Sequence, residues 1–171
     1  MELWKTIEER YSVRDFAPRP IEPEKLNRIL EAGRLAPTAK NNQPQRIYVL
    51  ESEAALEKIR AITRCAYNAP VVLLVAVDTE EQWNNPLEAG VVSGEQDAAI
   101  VATQMMLAAW DEGVGSCWVG FMPPSEVKKA FDLPENERVA LLLPIGYPAD
   151  GAAPSPNHAK RKPLSETVRR L

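Results

Sequence analysis

The chain has 171 residues, 45% hydrophobic and 26% charged, which suits a single domain over residues 1–171 and excludes a disordered or collagen-like chain. Its longest uncharged run, the thirteen residues Ala98 to Trp110, falls short of the roughly 20 apolar residues of a membrane-spanning helix. The net charge of −4 is uneven, since Asn157 to Leu171 carries five bases against one acid and the rest of the chain stands at −8, which argues against a general nucleic-acid surface. The basic tail has two readings, a local anion site or a solvated end.

Glu2 to Arg10 reads as a short helix with Leu3, Trp4 and Ile7 on one side. The first residues lack the basic-then-apolar layout of a secretory leader, and the two cysteines lie 52 positions apart, so a reducing cytoplasm is the expected setting. Pro23 opens an amphipathic helix to Leu35, with Leu26, Ile29, Leu30 and Gly33 at helical spacing, and Pro37 ends it. Arg46 to Glu51 is predicted as a strand. Ser52 caps a helix through about Arg60, with Leu56 and Ile59 facing inward. Val71 to Val77 is an unbroken apolar run and reads as a strand buried on both faces. Asp78 to Asp97 holds six acids and no base, which predicts a solvated connector.

Gly94 to Glu112 reads as a long helix, apolar on nearly all sides, suited to the middle of a protein or to a large subunit contact. Gly113-Val114-Gly115 stops it. A strand over Ser116 to Val119, a helix over Ser125 to Phe131 and a strand over Val139 to Ile145 follow. Pro148 to Pro163 is irregular, and a connection that long is functional or wraps something.

The usual catalytic sets are missing. His158 is the single histidine, no G-x-S-x-G occurs, and no zinc ligand set or phosphate-loop motif is present. Gly113 and Gly115 fail the dinucleotide fingerprint, because Trp118 stands at the third glycine. An enzyme built this way needs chemistry supplied by a bound cofactor.

Three stretches could receive one. Arg10, Ser12 and Arg14 alternate, so in extended backbone they share a side and form a receptor for a phosphate dianion. The other reading has Arg10 compensating a helix C-terminus and Arg14 paired with Asp15 or Glu9. Ala36 to Pro44 is a loop stiffened by two prolines that offers one hydroxyl and three amides, suited to a heterocycle with mixed edges or to a plain turn. Gly115 to Gly120 is a backbone that a ligand can approach closely, or a core strand, with Cys117 better read as core.

In this order, and over nearly the whole chain, these stretches resemble the nitroreductase superfamily of FMN-dependent oxidoreductases. The motifs are Arg10-x-Ser12-x-Arg14-x-Phe16, Ala36-Pro37-Thr38-x-x-Asn41-x-Gln43-Pro44, Gly113-x-Gly115-Ser116-Cys117-Trp118-Val119-Gly120, Leu143 to Pro148, and Arg161-Lys162-Pro163-Leu164. The resemblance implies an α+β fold: a three-layer α/β/α sandwich around a mixed, mainly antiparallel sheet. It implies a homodimer with FMN at the subunit interface and no nucleic-acid or membrane partner. Arg10, Ser12, Arg14 and Arg161 match positions at the FMN phosphate and ribityl end, with Arg14 also within reach of the pyrimidine ring. Thr38, Asn41 and Gln43 match a loop beside the ribityl chain and ring, drawn partly from the second subunit. Val119 and Gly120 match backbone along the isoalloxazine. Arg64 matches a basic residue near the flavin only loosely.

The implied activity is a two-step exchange. NADH or NADPH gives a hydride to the flavin, and a small acceptor (nitroaromatic, quinone or flavin) then takes the electrons. The flavin carries the chemistry, so no catalytic side chain and no metal ligand is assigned. The alternatives are a non-catalytic flavin-binding module for storage or sensing, and an enzyme of this fold with different chemistry, such as dehydrogenation or flavin breakdown. Two departures bear on substrate: Gln45 stands where an aromatic is common, and only Asp78 to Asp97 occupies the place of a larger helical lid.

Overall fold

The computed structural model describes residues 2–171. Its elements in chain order are α1 (Leu3–Glu9), α2 (Pro23–Arg34), β1 (Gln45–Leu50), α3 (Glu53–Ile62), β2 (Val71–Asp78), α4 (Gly94–Asp111), β3 (Gly115–Ser116), α5 (Pro124–Ala130), β4 (Glu137–Gly146) and α6 (Leu164–Thr167). Short 3₁₀ turns lie at Ala39–Asn41 and Arg64–Ala66. The strands form one sheet in the order β1-β2-β4-β3, every neighbouring pair antiparallel. Among the described residues the parallel component is a single bridge, Ser12 to Ser116.

Strand β2 shows why there are three layers. All eight of its residues are buried. Successive side chains of a strand point to opposite faces. Val71, Leu73, Val75 and Val77 therefore join one apolar core with Ile29 of α2 and Val101 and Met105 of α4. Val72, Leu74 and Ala76 join a second core with Leu56 and Ile59 of α3 and Val127 of α5. The Ser52 hydroxyl accepts the Ala55 amide at 3.3 Å and starts α3 as the sequence predicts.

Leu3, Trp4 and Ile7 share a face of α1 and are 67%, 69% and 46% exposed, and Thr6 is the buried residue of that helix. Two expectations need correction. The acidic connector is not simply solvated: Asp78, Ser93 and Asp97 are buried, and Asn84 bridges to Val92. Its ends are tied down by α4 and the sheet, which charge counting does not register. The strand expected over Ser116 to Val119 is a two-residue β3 followed by an isolated bridge from Val119 to Leu142. Trp118 turns outward between them and interrupts the ladder.

Candidate functional site

After α1 the chain turns extended at Arg10 (φ −57°, ψ 131°) and runs beside β3, where the Val13 amide donates to Ser116 O at 2.9 Å. Val13 is fully buried. Its alternate neighbours Arg10, Ser12 and Arg14 line one polar cavity of about 240 Å³. The Pro148 to Pro163 stretch folds back over this strand: the Ala149 amide donates to Asp15 O at 3.0 Å, and the Tyr11 hydroxyl donates to Ala152 O at 3.3 Å. That return brings Ser155, Asn157, His158 and Arg161 to the same cavity. The Arg161 guanidinium donates to the carbonyls of His158 and Lys160. Among the described residues no carboxylate pairs with Arg10, Arg14 or Arg161. The alternative that paired Arg14 with Asp15 or Glu9 is therefore not realised. Three unbalanced guanidiniums around two hydroxyls, an amide and an imidazole make a receptor for a multiply charged anion. Ser155, Asn157 and His158 escaped sequence reading, because only the fold of an irregular segment brings them here.

Arg14 leads from this cavity to a second one. Its charge acts on the phenol of Tyr67, which follows the Arg64–Ala66 turn. Burial first, and then the bond to Cys65, raise the Tyr67 phenol, with Arg14 working the other way. Burial likewise pushes the Cys117 thiol up, and Arg14 partly opposes it, so Cys117 is a core residue as expected. The second cavity, about 340 Å³ and mostly apolar, is lined by Ile62, Thr63, Arg64, Gly120, Phe121, Met122 and Pro123. The Thr63 hydroxyl donates to Phe121 O at 2.8 Å and fixes its wall. Arg64 stands over the Phe121 ring at 5.9 Å. Val119 and Gly120 differ here. Both backbone groups of Val119 are engaged with Leu142, at 2.9 and 3.0 Å. Among the described residues the Gly120 amide has no partner, and nothing lies within 4 Å of where a Cβ would stand.

Thr38, Asn41 and Gln43 are not brought to either cavity. Thr38 Oγ1 accepts the Gln43 amide at 3.0 Å, and the Ala39 amide donates to Asp97 at 2.9 Å, which sets the loop on the first turn of α4. Tyr11, beside the polar cavity, packs edge-on against Trp110 in the last turn of α4, with ring centroids 5.2 Å apart. From Asp97 to Trp110 the helix rises roughly 20 Å. One chain thus holds the two halves of the expected site apart. Between them α4 presents an open stripe, where Ala99, Ile100, Thr103, Gln104 and Leu107 line one shallow apolar groove and Leu3, Ala32, Leu107 and Ala108 line the next. No helix among the described residues is long and apolar enough to cross a membrane.

Comparisons with known proteins bear on the family and the fold. The profile of the nitroreductase family matches residues 7–67 and 62–147. The chain is similar to a nitroreductase family protein from Clostridium difficile 630, with 34% identity, a TM-score of 0.92 and coverage of 99% of this chain and 98% of that one. It is 28% identical to the NADH dehydrogenase of Thermus thermophilus across 93% of this chain and 91% of that protein. It is 27% identical to an FMN reductase (NAD(P)H) of Bacillus subtilis across 91% of this chain and 69% of that protein.

Proposed function

The chain belongs to the nitroreductase family, and on that footing we propose that it is an FMN-dependent NAD(P)H oxidoreductase acting as a homodimer. The observation that carries this reading is the polar cavity in which Arg10, Arg14 and Arg161 converge without a carboxylate to balance them. That donor set fits the phosphate dianion of FMN. A separate, mostly apolar cavity, lined by Arg64, Gly120 and Phe121 among others, is suited to a flat ring.

FMN, when bound, supplies the redox chemistry: it accepts a hydride from NADH or NADPH and passes electrons to a small acceptor such as a nitroaromatic, a quinone or a free flavin. The chain's own residues bind and orient. Arg10, Ser12, Arg14 and Arg161 hold the phosphate by charge-assisted hydrogen bonds. The unengaged Gly120 amide is a donor for a ring acceptor atom, and a preorganised N–H there stabilises negative charge gained on reduction. Val119 contributes a buried wall and no free backbone group. Thr38, Asn41 and Gln43 serve the flavin of a second copy docked along the open stripe of α4, because in their own chain they lie a helix length away.

Flavin released from the purified protein and separated by chromatography tests the cofactor assignment. FMN is the expected species. FAD as the main species contradicts it, since a single terminal phosphate is what this cavity is built to hold.

A further inference from the structure

We propose that Asp97 is a positioning residue for the flavin site: its buried carboxylate holds the Thr38–Gln43 loop in the shape that the flavin of a second copy requires. This rests on the two-copy site proposed above.

Asp97 lies in the first turn of α4 and is 2% exposed. Burying a carboxylate is costly unless donors satisfy it. Here two do: the Ala39 amide reaches Oδ1 at 2.9 Å, and the Ser93 hydroxyl reaches Oδ2 at 2.6 Å. Among the described residues no Lys or Arg pairs with Asp97, so the helix N-terminus and these two donors carry its charge. The loop it grips is strained. Lys40, Asn41 and Gln43 stand at φ 53°, 56° and 54°, a left-handed backbone that side chains other than glycine adopt at a cost. Such residues persist only where the surroundings over-determine them, and they cluster at ligand clamps.

The internal ties of the loop, Gln43 N–H to Thr38 Oγ1 at 3.0 Å and Gln43 Nε2 to Asn41 O at 3.2 Å, keep its shape but do not place it. The bond from Asn42 Nδ2 to Glu81 O at 2.9 Å leads only to the exposed connector. Arg46 of β1 reaches Gln43 O at 3.3 Å, and among the described residues Asp97 alone fastens the loop to a helix of the core. The side chains of Asn41 and Gln43 are left exposed, and among the described residues the side-chain amide of Asn41 has no partner. A fixed backbone that presents an unused side-chain amide outward, beside the open stripe of α4, is the arrangement a second copy's ligand needs.

Asp97→Asn keeps the shape but loses the full charge and one acceptor, and Ser93→Ala removes one of the two donors. Each is prepared free of flavin and titrated with FMN and with riboflavin. For Asp97→Asn, binding of both flavins weakens by the same factor, about tenfold, the scale of one buried charge-assisted hydrogen bond. Hydrogen exchange speeds up at the Ala39 and Gln43 amides, with the core amides unchanged. Ser93→Ala moves the same readouts in the same direction and less far. Asp97→Asn is then co-expressed with Arg10→Ala under distinct tags. The mixed dimer regains one FMN site of wild-type affinity, which a general weakening of the Asp97→Asn fold would prevent. Asn41→Ala mixed with Arg10→Ala serves as the control.

Unchanged flavin affinity in Asp97→Asn, weaker binding without faster exchange in the loop, or recovery only in the Asn41→Ala mixture overturns the role given to Asp97. Recovery in neither mixture overturns the two-copy site, and this proposal with it.

Discussion

Val13 Cγ2 stands 2.5 Å from the place a Cβ on Gly115 would occupy. The contact lets the strand after α1 lie flat on β3, and that placement turns Arg10, Ser12 and Arg14 together into the polar cavity. Val has little rotamer freedom to yield, and Gly146 O closes the other side at 3.3 Å. Gly115→Ala should therefore destabilise the fold by about 1–3 kcal/mol, the usual cost of overpacking. It should also weaken FMN binding, although residue 115 donates nothing to the phosphate. Urea unfolding and flavin titration check the two effects. A variant with wild-type stability and affinity would show that the strand can shift at no cost.

Arg10→Ala and Arg161→Ala each remove a charge-assisted contact to phosphate, worth about 1.5–3 kcal/mol. FMN affinity should fall roughly 10- to 100-fold in each, and riboflavin affinity should stay the same because riboflavin lacks the phosphate. Neither change should cost the fold, since Arg10 is only partly buried and Arg161 is exposed. Equal losses for both flavins would return the two arginines to ordinary surface roles.

Ile100 lies in the middle of the open stripe of α4 and is 41% exposed. Ile100→Glu places a charge where the second copy is expected, and an unpaired charge in an apolar contact is strongly unfavourable. The variant should sediment as a monomer and lose its flavin, whereas the wild type should remain a dimer at falling concentration. A folded wild-type monomer that keeps its flavin at full affinity would refute the shared site.

Burial, followed by the hydrogen bond its hydroxyl donates to Glu137 at 2.6 Å, raises the Tyr48 phenol from 10.0 to about 12. The folded chain thus holds this proton more tightly than the unfolded chain does. The contribution to stability is intact below pH 10 and is lost as the pH rises to about 12. In Tyr48→Phe the alkaline decline of stability over that window should be shallower than in the wild type. Thermal unfolding at stepped pH measures it.

Much of this was readable beforehand, for identifiable reasons. Val71 to Val77 is legible as a doubly buried strand because a continuous apolar run of that length has few other uses. The Arg10, Ser12, Arg14 alternation is legible because extended backbone has a period of two. Arg161 was reachable only through the family resemblance, since an irregular stretch gives no spacing rule for where its end returns. The same holds more strongly for His158 and Asn157, which no motif carries. The burial of Asp97 was hidden inside an acidic segment, where charge counting predicts solvent and the deciding facts are the Ala39 amide and the Ser93 hydroxyl. The separation of Thr38, Asn41 and Gln43 from the cavity is a property of the length of α4, which the order of motifs along a sequence does not express.

The most direct test of the account as a whole is an anaerobic titration of the purified, flavin-loaded protein with NADH and, separately, with NADPH, followed by the visible absorbance of the oxidised flavin. At least one of the two should bleach it stoichiometrically, with the colour returning when a nitroaromatic, a quinone or free flavin is added. A protein that binds FMN but stays yellow with both nucleotides would contradict an oxidoreductase and leave a flavin carrier in its place.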